Sequence, residues 1–294
     1  MREIPRHLYP FDRHWLKLDD LRLHYVDEGE GETVVAVHGN PTWSFYYRDL
    51  VCDLREEYRV IVPDHIGCGF SDKPGDHLYD YTLNRRISDF ARLMDDRELE
   101  DINLVVHDWG GMIGLGWAAL HPERIKRLVI LNTAAFHLPK SKSFPWQLWM
   151  VRDTPLGPLM VRGFNVFARG STHLSCTRKK LPKKVRDAYC APYDSWSDRI
   201  ATLRFVQDIP LRPGEPGYDI VSDTAARLEV FRDRPVLICW GDKDFVFDHH
   251  FLAEWQRILP DADVHRFADC GHYILEDASE EVIPIIRNFL ASTE

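Results

Sequence analysis

His107-Asp108-Trp109-Gly110-Gly111 sets one carboxylate between a strand-like run, Leu104-Val105-Val106, and the helix-like segment that opens at Trp109. Strand gives way to helix with almost no loop, and glycines stand where side chains would collide. Such an elbow lifts one side chain above a sheet edge and beside a helix N-terminus, where the dipole favours an anion. Serine is the usual occupant. Aspartate differs because it is already ionised near neutral pH and needs no base before attacking. Asp108 can therefore displace a leaving group from a saturated carbon and form a covalent ester. An aspartate here also serves as an ordinary helix N-cap, and Asp-x-Gly-Gly alone does not choose between the two roles.

An alkyl ester of aspartate must be cleaved to regenerate the enzyme, and a base poised near neutrality points to histidine. Of the 14 histidines, His272 in Asp269-Cys270-Gly271-His272-Tyr273 follows the last predicted strand and is the candidate. A third group must fix its tautomer and stabilise the imidazolium. Gly241-Asp242-Lys243-Asp244 follows the preceding strand and offers two carboxylates. Asp244 is preferred, because Gly-x-x-Asp lets the chain turn before the carboxylate is presented. Asp242 reads as a surface turn residue beside Lys243. Asn132, at the end of the strand before, carries no charge. His38-Gly39-Asn40-Pro41 ends the first parallel strand. The backbone N–H groups of Asn40 and Trp109 could bind an oxyanion, and the Asn40 amide and Trp109 indole could hold a departing anion.

Other motifs read as architecture. Asp64 to Pro74 contains glycines and polar side chains that brace a loop, but lacks the Gly-Lys-Ser/Thr ending of a phosphate loop. No His/Cys/Asp/Glu cluster has metal-ligand spacing, since the adjacent His249 and His250 would diverge on a helix. Neither a metal nor an organic cofactor is therefore expected.

These residues need a frame. Thr33–His38, Tyr58–Asp64, Ile102–His107, Arg127–Asn132, Pro235–Trp240 and Ala262–Phe267 read as strands, most of them buried on both faces. Trp15 to Val26 alternates as an antiparallel hairpin, and Leu83–Met94 and Ser279–Leu290 have helical spacing. The expected fold is α/β, a mostly parallel eight-stranded sheet, with residues 1–133 and 231–294 as core. Residues 134–230 are too long for a connection and too helical for strands, and read as an inserted helical cap. Trp146, Trp149, Phe164, Phe167 and Phe205 are its candidates for the wall of an apolar pocket.

The chain has 294 residues, 45% hydrophobic, with net charge −9. That excess disfavours nucleic acid as a partner, and Arg178-Lys179-Lys180 with Lys183-Lys184-Arg186 reads as a solvated helix face. No apolar run is long enough to span a membrane, and no signal-like segment follows Met1. The six scattered cysteines fit reduced thiols, and a cytoplasmic location is expected.

With its motifs in place the sequence resembles the haloalkane dehalogenase family of the α/β-hydrolase fold, across about Tyr25 to Leu290. The match lies in His38-Gly39-Asn40-Pro41-Thr42-Trp43-Ser44, Ser71-Asp72-Lys73-Pro74, His107-Asp108-Trp109-Gly110-Gly111 and Gly271-His272. The resemblance implies Asp108 as nucleophile, His272 as base and Asn40 with Trp109 as the halide-binding pair. Asp244 rather than Asn132 as acid is similar to the third subfamily, whose members tend to form homo-oligomers. The implied reaction turns a haloalkane into alcohol and halide ion. Leu128–Phe136, Phe205–Leu211 and Asp244–Leu252 look closer to the β-lactone decarboxylases, which split cis-3,4-dialkyl-oxetan-2-ones into cis-alkene and CO2 with the same residues. Either substrate is small and apolar. An epoxide hydrolase would add tyrosine acids, for which Tyr189, Tyr193 and Tyr218 are available, and a catalytically silent binding protein would lack a triad member.

Overall fold

The computed structural model describes residues 4–292. Its sheet has eight strands: β1 (His14–Leu18), β2 (Leu21–Glu28), β3 (Glu32–Val37), β4 (Tyr58–Pro63), β5 (Ile102–Asp108), β6 (Ile125–Thr133), β7 (Val236–Gly241) and β8 (Asp263–Phe267). Their order is β1-β2-β4-β3-β5-β6-β7-β8. β1 pairs antiparallel with β2, as the hairpin pattern predicts, and β2 also pairs antiparallel with β4; every other pairing is parallel. Residues 34–37 of β3 and all of β5 and β7 are buried. Helices on both faces explain why these strands read as unbroken apolar runs.

Outside the sheet run α1 (Arg48–Leu54), α2 (Leu83–Asp96) and α3 (Trp109–Ala118) before β6. Six helices follow before β7: α4 (Trp146–Asp153), the short α5 (Leu156–Pro158), α6 (Val166–Leu174), α7 (Lys183–Cys190), α8 (Ile200–Gln207) and α9 (Tyr218–Arg227). α10 (His249–Ile258), α11 (Ile274–Asp277) and α12 (Ser279–Ala291) complete the chain. In α2 the Thr82 hydroxyl accepts from Arg85 N–H as N-cap, while Leu83, Phe90, Leu93 and Met94 are buried at helical spacing. Each such buried side chain contributes about 1.5–3 kcal/mol of hydrophobic free energy.

The α4–α9 insertion has its own small apolar cluster, Leu148, Val151, Val161, Leu203 and Val206. Part of the basic stretch departs from expectation. Arg178–Lys180 sits in the bend after α6, where Arg178 bridges Asp269 (2.8 Å) and also meets Glu281. The second cluster opens α7. Among the described residues no helix is long and apolar enough to cross a membrane.

Candidate active site

The elbow forms because β5 runs directly into α3. Asp108 sits between them at φ 52° and ψ −128°, a conformation costing about 1–3 kcal/mol for a residue with a Cβ. Two contacts hold it: Asp108 pairs with Thr133 across β5–β6, and the Thr133 hydroxyl donates to the Asp108 carbonyl. A Cβ on Gly110 would lie 1.9 Å from the Val37 carbonyl oxygen, so only glycine allows α3 to pack this close to β3. The Asp108 side chain makes no capping hydrogen bond to its own helix. Its Oδ1 instead accepts the Asn40 backbone N–H at 2.6 Å, which removes the N-cap role.

The loop after β8 brings in His272. Its Nε2 lies 3.5 Å from Asp108 Oδ2, and its Nδ1 donates to Asp244 Oδ2 at 2.7 Å. The three side chains left uncertain by spacing alone therefore meet. Asp242, the rejected candidate, pairs with Arg266 at 3.0 Å on the surface. Asn132 plays a part that its lack of charge concealed. Its amide donates to Asp244 Oδ2 at 3.1 Å and to Gly241 O at 3.0 Å, and its Oδ1 accepts Gly241 N–H at 2.8 Å. Val246 N–H occupies Asp244 Oδ1 at 2.8 Å. The acid thus has a donor on each oxygen besides the histidine. The His272 carbonyl is engaged by His107 Nε2 at 2.9 Å, fixing the loop from below.

Burial pushes the Asp108 carboxyl above its ordinary value, while His272 and the Asn40 and Trp109 backbone N–H groups pull it back. For His272 burial favours the neutral ring, but the Asp244 carboxylate and then Asp108 outweigh it and raise the imidazole. Each partner supports the other's charge, and for Asp108 that support works against burial.

The structure brings together the two residues expected to bind an anion. Asn40 and Trp109 both line the cavity beside Asp108, and the Trp109 indole N–H has no protein acceptor among the described residues. The Asn40 amide instead gives one N–H to the Thr202 carbonyl of α8 at 3.1 Å, leaving one for a ligand. Phe205 is not a pocket wall. It is buried behind Trp109, with ring centres 5.2 Å apart, and carries the Arg86 guanidinium 3.7 Å from its own centre. Arg86 is fully buried, donates to Tyr81 O, and lies 3.5 Å from Asp208. Nothing in the α2 pattern distinguishes this arginine from the solvent-facing ones around it.

Above these groups lies a cavity of about 450 Å³, within the range of small-molecule sites. Core residues Met112 and Phe247 and insertion residues Phe136, Leu148, Phe167 and Ile209 line it. Of the five expected wall residues, Trp146 and Phe167 are on the cavity, whereas Trp149 and Phe164 are exposed and off it. The tyrosines available to an epoxide hydrolase are engaged elsewhere. Tyr189 donates to Glu276 at 2.5 Å, Tyr193 reaches Thr42 O at 3.4 Å, Tyr218 stacks on His137, and none lines the cavity.

The Asp64 loop is architectural, as read. Its carboxylate accepts Ser44 N–H, Phe70 N–H and His24 Nδ1–H at 2.7–2.9 Å. His249 and His250 do not diverge: their ring centres are 4.1 Å apart. Asp248 beside them is already paired with Lys142 at 2.6 Å, and His250 with Ser141 at 2.9 Å.

A strand-borne aspartate, a buried histidine and a second carboxylate beneath an inserted segment are the arrangement of one fold family. Residues 32–279 match the α/β hydrolase fold family model, and the chain belongs to that family. Within it, the chain is 59% identical to a cis-3-alkyl-4-alkyloxetan-2-one decarboxylase of Shewanella oneidensis, over 98% of this chain and 91% of that one. A protein of the same name from Xanthomonas campestris is 50% identical over 92% of each chain. A haloalkane dehalogenase of Psychrobacter cryohalolentis is 31% identical over 96% of this chain and 93% of its own. Among solved structures, a haloalkane dehalogenase from Agrobacterium tumefaciens C58 superposes with TM-score 0.85 at 22% identity, covering 95% and 96% of the two chains. That likeness speaks for the fold alone.

Proposed function

We propose that the protein is a β-lactone decarboxylase, converting cis-3,4-dialkyl-oxetan-2-ones into cis-alkenes and CO2, with residues 134–230 as a cap over the site. The observation that carries this is the 59% identity to a decarboxylase, against 31% to a dehalogenase. The motif resemblance puts dehalogenation first; the margin between these relatives reverses the order.

In this reading Asp108 Oδ attacks C4 of the lactone from the face opposite the ring oxygen. The C4–O bond breaks, and the ring oxygen joins the C2 carbonyl as a carboxylate on C3. Ring oxygen and carboxyl carbon began on the same side, so the new C4–Oδ bond stands opposite the carboxylate. The C3–carboxylate bond then breaks and its electron pair forms C3=C4. The C4–Oδ bond breaks in the same step, which frees CO2 and restores the Asp108 carboxylate. The alkyl groups stay on one side, giving the cis-alkene. No water is consumed and no proton moves.

Asn40 and Trp109 hold the carboxylate as it forms. His272, charged through Asp244, stabilises Asp108 as the leaving group. The apolar cavity favours neutral CO2 over the anion it comes from. Hydrolytic dehalogenation is the second reading, since the same three residues support it with His272 activating water. A long-chain cis-β-lactone and 1-bromobutane offered side by side separate the two. Alkene without bromide, abolished in Asp108→Ala, is expected; bromide release with no alkene refutes the decarboxylase.

A further inference from the structure

We propose that the first half of the insertion is a docking surface for an anionic lipid membrane, through which substrate passes from lipid into the cavity. Residues 134–190 carry eleven Lys and Arg against two Asp, a net of +9 in a chain of net −9, so the rest stands at −18. Arg169, Lys179, Lys180 and Lys184 are exposed, and among the described residues none of their side chains has a carboxylate partner.

The same stretch exposes Trp146, Trp149, Leu156, Leu159, Phe164 and Leu174, each by half or more of its surface. Scattered single apolar residues are ordinary on a surface, but six within residues 146–174 are not. On α6 the helical repeat aligns Val166, Gly170 and Leu174 on one stripe and sets Arg169 and His173 along its edge. An apolar stripe bordered by cations is how a helix lies in the headgroup layer.

The cavity opens on this face. Trp146, Val166 and Leu174 line it and are also 65%, 43% and 65% exposed. A dialkyl lactone partitions into lipid rather than water, so a mouth set in the lipid-facing surface meets the substrate where it is concentrated. Charge argues against this face pairing with itself in a two-fold dimer, which would bring +9 against +9, whereas anionic headgroups are attracted by about 1 kcal/mol per cation. The transfer route rests on the proposed substrate; the docking does not.

The test uses the intact chain without substrate, sedimented with vesicles of phosphatidylcholine alone or mixed with phosphatidylglycerol. Binding to the mixed vesicles, weak binding to the neutral ones, and release by salt are expected. Lys180→Glu/Lys184→Glu reverses two charges and lowers that affinity about tenfold or more. Trp149→Ser/Phe164→Ser lowers it as well. Neither pair lines the cavity, so both variants keep the turnover of a short-chain lactone dissolved in water. Failure of the wild type to bind either vesicle, or undiminished binding in both variants, overturns the proposal. So does a wild-type oligomer that the Trp149/Phe164 variant converts to monomer without vesicle binding, because the face is then a self-interface.

Discussion

Gly39→Ala tests whether the position of the Asp108 carboxylate limits the rate. A Cβ on Gly39 would lie 2.0 Å from Asp108 Oδ1, 2.4 Å from its Cβ and 2.5 Å from its Cγ. Ordinary contact begins near 3.4 Å, so the carboxylate must retreat by about 1.4 Å or swing away. The Asp108 backbone cannot follow, being held by Thr133 and the β5–β6 ladder. Rotation relieves the carboxylate contacts but not the one with the Asp108 Cβ, so the Gly39 segment shifts as well and the carboxylate loses the Asn40 N–H at 2.6 Å. A misplacement of about 1 Å at a reacting group costs roughly 100-fold in rate, equivalent to about 2.7 kcal/mol of barrier. The assay is steady-state alkene formation from a long-chain cis-β-lactone, with urea unfolding as a control. A kcat about 100-fold lower with KM nearly unchanged is expected. An alanine variant within threefold of wild type, folded to the same midpoint, refutes the geometric reasoning.

Single turnover in H2¹⁸O followed by mass analysis of the Asp108 peptide reads the fate of the ester. The lactone is expected to leave the peptide unlabelled, because the ester breaks at C4–Oδ. Label in Asp108 would mean hydrolysis at its own carbonyl. Burial pushes Asp208 up to about 7 with Arg86 opposing, whereas its unfolded value is about 3.9. The native state then holds a proton the unfolded chain has lost, so stability is full below about pH 4 and declines as pH rises through about 7. Asp208→Asn should thus gain on wild type between pH 4 and 8 by up to about 4 kcal/mol, measured by urea unfolding; a pH-independent difference rejects the shift. Glu276→Ala strips the buried Arg48 of its partner, whose Nη1 and Nη2 reach the carboxylate at 2.5 and 3.0 Å. A loss of about 3–5 kcal/mol in unfolding free energy is expected, and a loss under 1 kcal/mol would contradict it.

The sheet and the positions of the three proposed catalytic residues were legible because both are written locally. Buried parallel strands declare themselves as apolar runs; Asp108 ends one, and Asp244 and His272 follow the ends of two others. The insertion was legible only as helical. Which face of each helix turns inward depends on packing, so Trp149 and Phe164 look like Trp146 and Phe167 in the sequence. Phe205 is aromatic for its place between Trp109 and Arg86, a contact spanning more than a hundred residues. Asn40 lines the cavity, yet its amide's bond to Thr202 depends on where α8 settles. Asn132 was seen and passed over because charge was the criterion, when its value lies in donating to a carboxylate.

Asn132 near the end of β6 and Asp244 in the loop after the neighbouring β7 have amide nitrogen and carboxylate oxygen 3.1 Å apart. From its seat at the end of β6, a side chain of the same shape could reach the position that serves His272. The fold therefore holds two interchangeable seats for one acid. Asn132→Asp alone would crowd two carboxylates into them, and they would have to share a proton. Asn132→Asp with Asp244→Asn would exchange donor and acceptor across the strand pair and leave the histidine where it is. An acid that migrates between strands during divergence needs only those two reciprocal changes, with no remodelling of the loop that carries His272.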